Sequence, residues 1–201
     1  MVRRRRALRT HGCPGRGGGR DALLGLTQYY TATTLDGFIA DEQDSLDWLF
    51  TRARDEDGPL AYERFYEGVG AVAMGSTTYE WILEHAKAWP YADVPSWVFS
   101  SREQRPVEGA DIRFVRGDVA PVHAEIAAAA DAKNVWIVGG GPLVAQFAEA
   151  GLLDEVLVTI APVTLGAGRS LLPARVELLL EETGRNGDFV AARYSVVRET
   201  S

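Results

Sequence analysis

The 201-residue chain is 46% hydrophobic and 24% charged, has Cys13 as its one cysteine, and carries a net charge of −7. Those figures exclude a disulfide framework and a thiolate metal cluster, and no apolar run reaches the roughly 20 residues of a membrane span. Residues 1–20 hold seven arginines and no acid, while the remainder holds 14 basic and 28 acidic side chains, a balance that sets the body of the chain against nucleic-acid backbones.

Residues 1–24 read as an Arg/Gly-rich leader without a periodic apolar face and are expected to be disordered; residues 25–201 are expected to form one domain. The domain opens with "LTQYYTATTLDGFIA", β-branched and aromatic residues with an Asp36-Gly37 turn signal inside the run. A polar loop, "DEQDSLDW", follows. Residues 59–67 read as a helix opened by Pro59, and "VGAVAMG" (69–75) as a buried strand. "STTYEWILEHAKAW" predicts a helix with Ser76 or Thr77 as its cap and Glu80 placed for a capping box. Strands are expected at 96–101 and 112–117, then a helix in "APVHAEIAAAADA" and a strand in "NVWIVGGG". A helix over "PLVAQFAEAG" is closed by Gly151, and "DEVLVTIAPV" is a further strand. "RVELLLEET" and "GDFVAARYSVVRE" read as two last strands turning at Asn186-Gly187. Single helices between strands, giving way to strands alone, predict an α/β fold: a mostly parallel central sheet, helices on both faces and an antiparallel C-terminal edge.

Three strand ends carry groups suited to chemistry. Gly139, Gly140 and Gly141 separate a strand from a helix, where free N–H groups and the helix dipole favour an anion. The same glycines also suit a tight turn with close helix–sheet packing. Gly75-Ser76-Thr77-Thr78 and Ser100-Ser101-Arg102 end two other strands, and hydroxyls with an arginine suit phosphate oxygens. Converging on one sheet edge, the three ends read as a site for a cofactor with two or three phosphates. His11, His85 and His123 have no ligand spacing, and no metal is expected.

Five segments carry a resemblance. "TATTLDGFIAD", "VAMGSTTYEWI", "WVFSSR", "VWIVGGGPLVAQF" and "EVLVTIAPVTLGAGRSLL" occur in the order found in dihydrofolate reductase-like proteins. The last is most similar to the reductase domain of the bifunctional riboflavin-biosynthesis deaminase/reductase. The resemblance covers about residues 26–198. It implies a three-layer sandwich of dihydrofolate reductase-like fold, NADPH as hydride donor, and a cis peptide between Gly139 and Gly140. It places Ala32 and Ile39 at the nicotinamide carboxamide, and Gly75, Ser76, Thr77 and Thr78 at the phosphates. Ser100, Ser101 and Arg102 fall at the adenine ribose and its 2′-phosphate; Gly139, Gly140, Gly141, Pro142, Leu143 and Val144 fall at the pyrophosphate and nicotinamide face. Ser76 and Pro142 stand where relatives carry arginines, so Arg102 becomes the candidate for the 2′-phosphate and the choice between NADPH and NADH stays open.

On the substrate side the resemblance implies Trp48 on a loop that closes over the substrate, with Asp47 beside it to order water, and Thr159 near the bound ring. Asp36 is either structural or a lining of the substrate pocket. Residues 164–170, with Arg169, are expected to offer N–H groups to a polar or phosphorylated substrate. The family's first-helix carboxylate falls at Pro59, with Asp55, Glu56, Asp57 and Glu63 nearby. The implied activity is NADPH-dependent reduction of a small heterocyclic or carbonyl compound by direct hydride transfer. The alternatives are a stand-alone 5-amino-6-(5-phosphoribosylamino)uracil reductase and a nucleotide-binding module without turnover. A homodimer formed through the sheet edge, in a reducing cytoplasmic setting, completes the expectation.

Overall fold

The computed structural model describes residues 25–198, so the leader expected at 1–24 lies outside the described residues. The elements are β1 (Thr27–Thr34), β2 (Phe38–Ala40), α1 (Asp47–Phe50), α2 (Tyr62–Tyr66), β3 (Val69–Gly75), α3 (Ser76–His85), β4 (Ser96–Phe99) and β5 (Ile112–Val115). Then come α4 (Val119–Ala129), β6 (Asn134–Gly139), α5 (Gly141–Glu149), β7 (Glu155–Ala161), β8 (Arg169–Ser170), β9 (Leu178–Asn186) and β10 (Phe189–Val196).

Eight strands form one sheet in the order β5-β4-β3-β6-β1-β7-β10-β9, and β2 with β8 makes a separate two-stranded ribbon. The first five neighbour pairs are parallel and the last two antiparallel. The two-residue alternation of side chains along a strand assigns the layers. Ala71, Ala73, Trp97, Val135 and Ile137 face Ile126 of α4 and Val144 and Phe147 of α5. Val72, Met74, Val98 and Trp136 face Tyr79 and Ile82 of α3, with Phe65 and Tyr66 of α2 packed beside them. On that second face Trp136 sits edge-on to Phe65, Tyr62, Tyr66 and Tyr91, and Tyr30 stacks on Phe65 at 4.2 Å between centroids. Helices on both faces of a mostly parallel sheet with an antiparallel edge reproduce the architecture expected from the sequence.

The strands expected at 96–101 and 112–117 end at Phe99 and Val115, and three further boundaries differ because other parts of the chain claim the residues. The helix expected over 59–67 is only Tyr62–Tyr66. The Pro59 carbonyl accepts from Asn186 Nδ2 at 2.9 Å and the Leu60 carbonyl from the Tyr30 hydroxyl at 2.9 Å, so neither carbonyl serves a helical ladder. Burial pushes the Tyr30 phenol up to about 12, which keeps it a donor.

The helix α3 stops at His85 rather than running on to Trp89, because Trp89 turns in to pack on Tyr79 and Tyr91. The last hairpin turns one residue later than expected. Asn186 pairs with Phe189, leaving Gly187 (φ 58°) and Asp188 as the loop. Asn186 stays in the strand because its side chain is buried and binds the Asp55 N–H and the Pro59 carbonyl.

Candidate functional site

The strand order places a topological switch point between β6 and β1: β3, β4 and β5 extend the sheet to one side, and β7, β10 and β9 to the other. Ligands of open α/β sheets bind at the carboxyl ends of strands flanking such a point. Here the ladder itself opens. β1 and β6 are paired only at Thr27↔Val135, Gln28↔Trp136 and Tyr29↔Ile137, yet β1 runs on to Thr34 and β6 to Gly139. Beyond Tyr29 the backbone of β1 is paired on its β7 side alone, through Ala32↔Thr159 and its neighbours. The indole of Trp136 donates to the Tyr30 carbonyl at 3.0 Å and closes the base of the opening.

Two helix starts adjoin the opening. The N-caps of α3 and α5 are Gly75 and Gly140, both extended, and neither helix has a side-chain cap. In α3 the first-turn N–H groups are therefore left to another acceptor; in α5 Pro142 has no N–H and the Leu143 N–H donates to the Gly140 carbonyl at 3.0 Å, which leaves the Gly141 N–H. Gly75 belongs to β3 and Gly139 to β6, neighbouring parallel strands, and a β-carbon on Gly75 would lie 3.9 Å from the Gly140 nitrogen. A β-carbon on Gly140 would meet nothing closer than Pro142 Cδ at 3.9 Å. Backbone N–H groups free of side chains are thus gathered from both strand ends, and the Gly139–Gly140 peptide between them is cis, as expected.

The third glycine has a different cause: a β-carbon on Gly141 would fall 2.2 Å from the Ser170 carbonyl oxygen. The close-packing reading of the triplet therefore holds at Gly141, while Gly140 keeps an open side-chain position. Pro142 is exposed, and Leu143 and Val144 are buried, so the latter two anchor α5 rather than line its surface. Thr78 Oγ1 sits 3.2 Å from the α-substituent position of Gly139; Ser76 is partly exposed and Thr77 exposed at the same helix start.

The expectation that Ser76 or Thr77 caps α3 with Glu80 completing a capping box is corrected. The helix begins at Ser76 with Gly75 as cap, two positions too early for Glu80 to reach back. Glu80 instead accepts from Arg102 Nη2 at 2.9 and 3.1 Å through its two oxygens, and from Gln104 Nε2 at 2.9 Å. Ser100 is buried, its hydroxyl donating to the Arg102 carbonyl and accepting from Arg102 N–H and Gln104 Nε2. Of the three residues expected at the ribose phosphate, only Ser101 is exposed and without a side-chain partner.

Arg116 went unread in the sequence. It follows β5, whose Val115 pairs with Phe99, so it lies alongside Ser100 and Ser101, exposed and without an ion pair among the described residues. Its signal was a cation at the carboxyl end of the predicted strand "IRFVRG".

On the other side of the opening, Ala32 and Thr159 share a face of the sheet through their register, the face that carries α2. Asp36 is an anchor for the loop after β7. Its carboxylate accepts from the Thr34 hydroxyl at 2.5 Å, from Leu165 N–H at 3.0 Å and from Gly166 N–H at 2.7 Å. The Thr34 hydroxyl bond, helped by the Gly166 and Leu165 N–H groups, holds this carboxyl below the usual range.

Arg169 donates to both oxygens of Asp44 at 2.6 and 3.0 Å, tying the 164–170 loop to the segment before α1. Ile39 lies in β2, which pairs with β8 of the same loop. Asp47 is exposed on the first turn of α1, with its N–H on Ser45 Oγ at 3.1 Å. Trp48 is half-buried, and its indole Nε1 is shielded and makes no hydrogen bond. No hydrogen bond joins Asp47 or Trp48 to Asp36 or Thr159. Glu63, on α2, is exposed. No helix among the described residues is long and apolar enough to cross a membrane.

These features define an α/β protein of dihydrofolate reductase-like fold whose strands β1 and β6 part after Tyr29. The chain belongs to the family described as the RibD C-terminal domain, which it matches over residues 27–183. It is 32% identical over 174 residues to the uncharacterized protein YwjB of Bacillus subtilis (strain 168), an alignment spanning 84% of this chain and 96% of that protein. It superposes on a putative riboflavin biosynthesis protein from Shewanella sp. PV-4 with a TM-score of 0.74 at 25% identity, covering 86% of this chain and 99% of that one. It also shares the fold of the Enterococcus faecalis dihydrofolate reductase complexed with NADP(H), at a TM-score of 0.54 and 16% identity over 87% and 99% of the two chains.

Proposed function

We propose that this chain is a reductase that binds a reduced nicotinamide dinucleotide across the carboxyl ends of β4, β3, β6 and β1 and reduces a small heterocyclic or carbonyl compound beside β1 and β7. The observation that carries the reading is the parting of β1 from β6 next to two helix starts, capped by Gly75 and Gly140, that no side chain closes. Dianionic pyrophosphate suits a pair of such N-termini, and the unpaired backbone of Ala32 and its neighbours suits an amide. NADPH is the dinucleotide that the family resemblance implies. When bound, the nicotinamide supplies the hydride.

The protein's own contribution is orientation and exclusion of water. Gly75 and Gly140 let the pyrophosphate approach the backbone, with Ser76, Thr77 and Thr78 beside it. Leu143 and Val144 hold α5 against the sheet. Asp36 acts as a positioning residue: it fixes the loop at 164–168, and through it the β2–β8 ribbon that carries Ile39. Thr159 and Ala32 line one face of the substrate space. Asp47, exposed beside the half-buried Trp48, holds an ordered water or a substrate group from which the proton that completes the reduction is drawn.

A narrower reading is favoured by the family itself: reduction of 5-amino-6-(5-phosphoribosylamino)uracil. Against a phosphorylated substrate stands the Arg169–Asp44 pair, which engages the cation of the 164–170 loop. We place the protein in a reducing cytoplasmic setting and as a homodimer, the latter supported by Leu178, Leu179 and Leu180 standing exposed on the edge strand β9.

Two measurements test the reading. Calorimetric titration with NADPH and NADH is expected to show binding, and loss of absorbance at 340 nm is expected with a pterin, a ribosylaminouracil or a small carbonyl compound. Binding without oxidation by any substrate class would leave a nucleotide-binding module; absence of binding at millimolar nucleotide would end the proposal.

A further inference from the structure

At the outer end of the same strand edge, the only arginine expected to meet a 2′-phosphate is held by a carboxylate. We infer that Glu80 is the residue that sets dinucleotide preference, and that it does so against the 2′-phosphate, so that NADH is bound at least as well as NADPH. The inference rests on the dinucleotide reading above.

The geometry is specific. Glu80 lies on the second turn of α3, which starts at the end of β3, and Arg102 follows the end of the adjacent strand β4. One nitrogen of the guanidinium, Nη2, reaches both oxygens of Glu80 at 2.9 and 3.1 Å. Gln104 adds a third donor to the same carboxylate at 2.9 Å and also donates to Ser100 Oγ at 3.1 Å. Gln104 thereby fixes Glu80 in place and, together with the Arg102 N–H, occupies the hydroxyl of Ser100. Arginine, serine and glutamine, three residue types suited to a phosphate, are all turned on Glu80 or on one another.

Charge and acceptor count then favour one ligand over the other. The Glu80–Arg102 pair is neutral as a unit, so the positive charge expected for a phosphate dianion at this place is cancelled. A carboxylate has about four lone-pair sites. Three are engaged here, which leaves room for one further donor. A ribose 2′-hydroxyl is a donor and fits that vacancy; a 2′-phosphate brings only acceptors and a second negative charge. An acidic side chain that accepts the ribose 2′-hydroxyl is a general device of dinucleotide sites that prefer NAD over NADP. Arg116, beside Ser101, and Arg105, next to Gln104, are exposed and make no ion pair among the described residues, so the outcome is a balance that Glu80 tips.

The pair is also weak enough to be rearranged. The side chains of Arg102 and Glu80 are 64% and 39% exposed, and a pair so open to solvent contributes little to folding. Replacing Glu80 therefore changes the ligand site without threatening the fold.

The experiment is calorimetric titration of wild type, Glu80→Gln, Arg102→Ala and the double variant with NADPH and with NADH at fixed ionic strength. Wild type is expected to bind NADH at least as tightly as NADPH. Glu80→Gln is expected to tighten NADPH by about tenfold, since removing one charge beside a dianion at the surface is an effect of this order, and to leave NADH unchanged or weaker. Arg102→Ala is expected to matter little in wild type and to abolish the gain in the Glu80→Gln background, a dependence that a purely structural role for Glu80 would not produce. Weakened NADPH binding in Glu80→Gln would mean that Glu80 orients Arg102 for the phosphate, and would overturn the inference. So would a wild type that prefers NADPH, or an equal shift in both nucleotides; in each of these cases the dinucleotide reading survives. Failure of wild type to bind either nucleotide removes both.

Discussion

Gly75 and Gly140 lie against one another at the carboxyl ends of adjacent strands, close enough that a β-carbon on the first would stand 3.9 Å from the nitrogen of the second. Both are helix caps without a side-chain bond. Their apposition brings two positive helix ends to a single point, which neither strand supplies alone.

The glycine triplet separates binding from stability. Gly140 is extended, at φ −89°, and its side-chain position is open, so Gly140→Ala is expected to fold normally and to lose dinucleotide affinity by about tenfold, or 1.4 kcal/mol. Gly141→Ala drives a methyl group to within 2.2 Å of the Ser170 carbonyl and is expected to cost about 1–3 kcal/mol of stability. Thermal melts alongside calorimetric titration distinguish the two; equal melting points for both variants would contradict the assignment.

Asp36 should confer a pH-dependent stability. Its carboxyl is held below the ordinary value, first by the Thr34 hydroxyl and then by the Gly166 and Leu165 N–H groups. A group whose folded pKa is depressed stabilises the fold above its unfolded pKa, and that contribution disappears as pH falls through the folded value. Asp36→Ala is therefore expected to melt below wild type at pH 7, with the gap closing as the pH is lowered through about 4, the ordinary carboxylate value, and below. A gap independent of pH would show that the carboxylate is not the source of the anchoring.

Asn186 ties the segment before α2 to the final hairpin through the Asp55 N–H and the Pro59 carbonyl. Asn186→Ala leaves both backbone groups without that partner at a buried position and is expected to cost about 1–3 kcal/mol in urea unfolding. Limited proteolysis within residues 51–60 is expected to be faster in the variant than in wild type. Unchanged stability would mean that water replaces the amide.

The exposed leucines of β9 test the assembly. Leu179 is 57% exposed on an edge strand, and edge strands with apolar faces invite pairing. Light scattering is expected to give twice the chain mass for wild type, and Leu179→Glu is expected to halve it. A monomeric wild type at tens of micromolar would refute the homodimer.

Element order was legible because its signals are local. Continuous apolar runs in "VGAVAMG" and "NVWIVGGG", proline and glycine at helix limits, and the terminal strand pair each act within a few residues. The errors have the same origin. Glu80 reads as a capping-box acid because its spacing from Thr77 is right, and nothing in the spacing announces Arg102. Pro59 reads as a helix start because the claims of Tyr30 and Asn186 on the neighbouring carbonyls come from distant parts of the chain.

By itself the sequence determined an α/β order of elements, glycines at a strand end, and an acidic body without metal spacing, since hydrophobic periodicity and backbone freedom belong to short stretches of chain. Only the tertiary structure decided which glycine keeps an open side-chain position and which faces Ser170, that β1 and β6 part company after Tyr29, and that Arg102 belongs to Glu80 and Arg169 to Asp44. Each of those depends on groups brought together across long loops, where the energy lies in a contact and the intervening residues carry no trace of it.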